Sequence, residues 1–178
     1  MAILKVSRMG HPVLRQPAKA LTTDQILQPA IQQLIGDMVE TMVDYEGVGL
    51  AAPQVYQSLR LLVLGYPDAD PEDPDDLPLT AFINPEWVAQ SEEKELGYEG
   101  CLSIPDLRGQ VPRSAWVEVR ALDREGKPFA LRAEGFLARV LQHEVDHLDG
   151  ILFPDRMEDF STLSFLEEYY RYWHKKED

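Results

Sequence analysis

Cysteine is almost absent from this 178-residue chain, which has one, Cys101. That excludes an internal disulfide and fits a reducing compartment, so a cytoplasmic protein is expected. Long hydrophobic runs are absent too. Nothing approaches the roughly 20 apolar residues needed to cross a bilayer, and the opening "MAILKVSRMG" lacks a secretory layout. Basic residues are scarce beside acidic ones, 17 Lys and Arg against 31 Asp and Glu, for a formal net charge of −14. Such a surface repels phosphate backbones, so neither a nucleic-acid substrate nor a membrane partner is expected. Part of the acidity is local. Residues 67–76, "PDADPEDPDD", hold six acids and three prolines and read as a solvated loop insertion with no catalytic role.

What is present suits one domain spanning 1–178, with no internal repeat and no linker. Ile31, Leu34, Ile35, Met38, Val39 and Met42 keep a helical rhythm, predicting a long N-terminal helix that starts at Pro29 and stops near Gly47. Thr23 or Asp24 is expected to cap a short turn before it. Strands are expected at "RLLVLGY" (60–66), "TAFIN" (80–84) and "WVEVRALD" (116–123), the last turning through "DREG" into "KPFALRA". Helical patterns return at "EGFLARVLQHEVDHLDG" and "FSTLSFLEEYYRYW". The fold class expected is α+β: antiparallel β-sheets packed around a central helix, with the long N-terminal helix and a C-terminal helical segment, 160–178.

Within the central helix, His143 and His147 are four residues apart, about 40° around the axis, so both imidazoles can reach one ion. Glu144, beside the first, can then address a water on that ion. A solvated charged face is the bland alternative, but the histidines continue the apolar line of Phe136 and Val140. A hydrolytic site needs a third ligand and an open position. Cys101, in "EGCLS", and Glu167, in "LEEYYRYW", compete for that place. Chemistry favours the thiolate for a borderline-soft divalent ion, while leaving Glu167 open.

Three stretches together, "GVGLAAPQ" (47–54), "EGCLS" (99–103) and "QHEVDHLDG" (142–150), resemble peptide deformylases in kind and order. The resemblance runs from about residue 9 to 156. It implies Cys101, His143 and His147 as metal ligands and Glu144 as general acid/base. It also implies that the Gln54 side chain and the Leu102 backbone N–H bind the substrate carbonyl oxygen. The implied reaction removes the N-formyl group from the initiator methionine of new polypeptides. The implied cofactor is one divalent ion, Fe(II) in the cell, with Zn(II), Ni(II) or Co(II) able to replace it.

Val48, Gly49, Glu99 and Gly100 are candidate substrate-binding positions from the two loop motifs. Phe136 and Val140, one or two turns before His143, are candidates for an apolar methionine pocket. Glu99 and Arg113 either brace the Cys101 segment or form a surface pair. His11 and His174 lack ligand-spaced partners. Only Arg171, Lys175 and Lys176 offset the acids of the C-terminal segment. A basic ribosome-docking helix is therefore not supported, and Leu163, Phe165, Leu166, Tyr169, Tyr170 and Trp173 are left to pack on the domain or in a dimer. Three further readings compete: a peptidase using Glu167, a Cys101 nucleophile activated by a histidine, which would leave Glu144 idle, and a copper carrier with Met157 as axial ligand.

Overall fold

Helix α2, Pro29–Asp44, begins where its proline has no N–H to lose and buries Ile35, Met38, Thr41 and Met42. The computed structural model describes residues 2–70 and 77–174; most of the acidic segment 67–76, and Lys175 and Lys176, fall outside the described residues. Before α2 lies the short α1, Thr23–Ile26. Its cap is Thr22, not Thr23 or Asp24, because Gln25 three residues on completes a reciprocal capping box. After α2, Glu46 takes a φ of 54° and the Gly47 N–H returns to the Met42 carbonyl at 2.8 Å, which ends the helix.

Five antiparallel strands form the larger sheet: β1 Gly49–Ala51, β2 Leu61–Leu64, β3 Thr80–Gln90, β6 Trp116–Leu122 and β7 Pro128–Glu134, in the order β1-β2-β3-β6-β7. β3 outruns the strand expected at 80–84 and passes through Pro85. The ladder shifts register between Ile83 and Glu86, where proline has no N–H to give. The Pro85 carbonyl is instead held by the Arg60 guanidinium at 3.0 and 3.2 Å.

The smaller sheet has the order β4-β5-β8, the last strand being Ser164–Phe165. Its long hairpin, β4 Lys94–Cys101 with β5 Ile104–Ser114, gives bounds and a pairing to sequence around Cys101 that reads only as strand-like. Gly97, Gly100, Pro105, Gly109 and Pro112 weaken any strand signal there. A register shift between Glu99 and Cys101, at Gly100, leaves Cys101 at the hairpin tip.

Helix α3, Gly135–Leu148, contacts strands of both sheets. Leu137, Ala138, Leu141, Val145 and Leu148 pack with Leu62, Phe82 and Val119 of the larger sheet. Gln142 bonds both backbone groups of Ser114 at 3.0 Å, tying the helix to the end of β5.

One expectation fails at the C-terminus. Residues 160–173 do not form a continuous helix. After α4, Phe153–Arg156, the chain makes a 3-10 turn at Phe160–Thr162, then β8, Ser164–Phe165, and only then α5, Leu166–Tyr172. The Asp159 side chain takes the Ser161 N–H, and the Thr162 hydroxyl bonds the Asp159 carbonyl while accepting from the Gln110 N–H. Side chains that satisfy the backbone locally compete with helix. Among the described residues, no helix is long and apolar enough to cross a membrane.

Candidate metal centre and groove

His143 and His147 project from one face of α3, ring centres 4.9 Å apart. The hairpin tip brings the Cys101 sulfur to 3.2 Å from His147 Nε2. One ligand atom from each of the three lies within 4.8 Å of the others, a set able to hold a metal ion. His143 gives its Nδ1 to the Glu99 carboxylate at 2.8 Å, which leaves Nε2 for the cluster. Burial, then the neighbouring charges of His143 and Arg113, holds His147 well below the usual imidazole range. Its lone pair is therefore available. Burial would lower His143 as well, yet the Cys101 sulfur and Glu99 raise it well above 6.5. The Ser103 N–H also points at the sulfur, at 3.4 Å.

Glu144 is buried against the glycine segment. A Cβ on Gly49 would stand 2.6–2.8 Å from its carboxylate, so the glycine is required by the glutamate as well as by any ligand backbone. Burial raises the Glu144 carboxyl to about 7, opposed by His143 and reinforced by Glu99. Its Oε2 is buried and has no hydrogen-bond partner among the described residues. The Gln54 amide is oriented by the Ala51 N–H, which donates to Oε1 at 2.8 Å. Nε2 is thereby turned towards the Cys101 sulfur, 3.5 Å away.

Around these residues runs a charge network that sequence reasoning largely missed. Arg113 forks onto Glu99 at 2.8 and 3.0 Å and reaches Asp146 at 2.6 Å. Both partners are buried, so the expected Glu99–Arg113 pair is no surface contact. Burial alone would raise Glu99, but hydrogen bonds from His143 and Arg113 hold it down to about 2. Asp146 also receives Arg156 at 2.7 Å. Arg139 spans from α3 to the Glu99 carboxylate and the carbonyls of Glu95, Gly97 and Val111. It fits because Gly97 has no Cβ, which would lie 2.7 Å from the guanidinium carbon. The roles of Asp146, Arg139 and Arg156 left no signal in the spacing of the sequence.

The cluster opens into a groove of about 630 Å³ lined by Val48, Gly49, Gln54, Glu99, Gly100, Cys101, Leu102, Phe136, Val140, His143 and Glu144. Of the expected site residues only His147 is not part of the lining; it is fully buried. Glu167 lies elsewhere, exposed and paired with Arg171, so the structure does not bring it to the histidines. Met157 is likewise apart, packed with Leu14, Ile104 and Phe153. His11 caps a 3-10 turn, and His174 sits against Tyr169 and Tyr170. A second depression, of about 660 Å³, contains Lys5, Arg8 and Tyr56 but no member of the metal cluster.

Known proteins share this architecture. The family model "Polypeptide deformylase" matches residues 3–162. A peptide deformylase of Roseiflexus sp. (strain RS-1) is 43% identical over 180 residues, covering 94% of this chain and 96% of the relative. The structure of a class I type b peptide deformylase from Acinetobacter baumannii with Met-Ala-Ser bound superposes with a TM-score of 0.81 at 40% identity, over 88% of this chain and 99% of that one. A peptide deformylase from Synechococcus elongatus in complex with actinonin gives 0.79 at 40% identity, over 94% of this chain and 84% of that one. With a Cys-His-His cluster in a solvent-facing groove and likeness of this extent in both sequence and fold, the chain belongs to the peptide deformylase family.

Proposed function

We propose that this chain hydrolyses the N-formyl group of nascent polypeptides beginning with formylmethionine, releasing formate. Cys101, His143 and His147 would hold the single divalent ion, with Fe(II) as the cellular metal. The carrying observation is the convergence of those three side chains, with Cys101 and His143 lining one groove beside Glu144 and Gln54 and His147 buried behind them. The A. baumannii relative, which binds Met-Ala-Ser, supports the substrate class. A peptide with a free N-terminal methionine is what deformylation leaves behind.

A bound ion supplies a Lewis acid that lowers the pKa of water from ~15.7 towards ~7. The remaining steps belong to the chain. Glu144, its carboxyl raised to about 7, takes a proton from the attacking water and returns it to the methionine nitrogen as the C–N bond breaks. The water oxygen stays on the formyl carbon and leaves in formate. Gln54 Nε2 and the Leu102 N–H donate to the formyl oxygen as negative charge grows on it. The link from Gln54 Oε1 to the Ala51 N–H sets which end of the amide can donate. Glu99 braces His143 through Nδ1. Val48, Gly49 and Gly100 let a peptide backbone approach, and Val140 with Phe136 forms the methionine pocket on the same flank of α3.

The test is formate release from an N-formylmethionyl peptide by protein purified without oxygen, compared with Glu144→Ala. Release by the first and none by the metal-loaded variant is expected. Intact formyl peptide alongside cleavage of an internal peptide bond would transfer the case to a peptidase.

A further inference from the structure

The family match ends at residue 162, yet the groove does not. Leu166 and Tyr170, both beyond that point, line it. β8 carries the chain there by pairing Phe165 with Leu107 and Ser164 with Arg108. Arg108 itself packs over Gly100, where a Cβ would meet its guanidinium. The register therefore sets the start of α5 beside the Gly100 side of the groove. Tyr169 then packs against Tyr98 of β4, ring centres 4.7 Å apart and planes tilted by 57°, which pins the helix to the hairpin. Leu166 and Tyr170 are i and i+4 and share one helix face. The acids of α5 are occupied elsewhere, Glu167 and Glu168 being tied to Arg171 at 3.2 and 3.1 Å. What α5 presents to the groove is the Leu166 side chain and Tyr170, with no charged group of the helix among the lining. Tyr170 is 56% exposed and leaves apolar surface for a ligand to cover.

We propose that Leu166 and Tyr170 form a specificity wall for the substrate chain beyond its formylmethionine, favouring bulky apolar side chains there. The proposal rests on the deformylase reading, since it takes the groove's occupant to be a nascent peptide. That occupant follows from continuity: the wall lines the same groove as Gly100, one of the two segments between which the peptide backbone would run, and as Cys101 and His143. A peptide extending past the methionine, at about 3.3 Å per residue, reaches this side of the groove within its next residues.

The experiment compares kcat/KM for formyl-Met-Ala-Ala, formyl-Met-Leu-Ala and formyl-Met-Ala-Leu. For the unaltered chain, one leucine peptide should exceed the alanine peptide by roughly threefold to tenfold, because an open wall covers only part of a side chain. In Leu166→Ala/Tyr170→Ala that ratio should fall to about one, and in Tyr170→Phe it should persist, since ring carbon makes the contact. Trp87→Ala, an exposed aromatic on β3 outside the groove, should leave the ratio unchanged. A general folding defect would lower all peptides together, so the ratio remains readable. An unmoved ratio in the double variant, or no leucine preference to begin with, overturns the wall. Absence of formate from every peptide would instead overturn the deformylase reading.

Discussion

Two helices of this protein are written in nearly the same alphabet and meet opposite fates. "HEVDH" in α3 and "LEEYYR" in α5 both mix acids with rings and neighbouring arginines. Around α3 the charges are inside: the Arg113 and Glu99 side chains are 5% and 4% exposed. On α5 they are outside, with Arg171 and Glu167 at 52% and 80%. The difference lies in what covers each helix. α3 runs between two sheets, so a charge there must either find a partner to offset its lost hydration, as Asp146 does, or shift its proton affinity, as Glu144 does. α5 lies on the rim, where water does that work and an ion pair contributes little. The same covering makes α3 suited to chemistry, because buried groups are the ones whose proton affinities move.

Breaking the inner network should have the largest effect. Arg113→Met removes the cation shared by two buried carboxylates, leaving Glu99 to Arg139 and His143 and Asp146 to Arg156 alone, and should cost about 3–5 kcal/mol in urea unfolding. Acid should expose the same dependence. Glu99 is depressed from 4.5 to about 2, so its contribution is complete above 4.5 and lost as pH falls towards 2. The Arg113→Met variant should accordingly unfold at a higher pH during acid titration. Gln54→Ala tests the groove without disturbing that network. Formate release should fall by about 10²–10³, as for the loss of one donor to an oxyanion, with metal content unchanged.

Metal uptake sharpens the contrast from another side. The Cys101 sulfur and Glu99 raise the proton affinity of His143, so an ion at that imidazole competes with protons. Apparent affinity should therefore rise with pH, about tenfold per unit for each proton released, as read by competition with a coloured chelator. The smallest effect is expected on α5. Arg171→Ala removes two pairs and should change stability by less than about 0.5 kcal/mol. A loss comparable to that of Arg113→Met would abolish the distinction drawn between the two helices.

Much of the site was legible because its chemistry is local in the chain. The i, i+4 histidines need only helix geometry, and α3 follows from the apolar period of Leu137, Leu141, Val145 and Leu148. α2 was readable for the same reason, with Pro29 marking its start. The β4–β5 hairpin was not. Its glycines serve side chains from elsewhere, Gly97 receiving Arg139 and Gly100 receiving Arg108, so they read as breakers. The C-terminal segment misled in the opposite direction: its apolar spacing suggested helix, while Asp159 and Thr162 were already bonding the backbone.

By itself the sequence determined an α+β chain with two histidines four apart on one helix, one thiol and three motifs in a family's order. These depend on periodicity and residue type, which are properties of neighbours along the chain. Only the tertiary structure decided that Cys101 rather than Glu167 meets the histidines, that Glu99 and Asp146 are bound to buried arginines, and that Leu166 and Tyr170 face the groove. Each depends on which distant surfaces exclude water together, and burial of that kind is set by the packing of sheets and helices, not by any single stretch of chain.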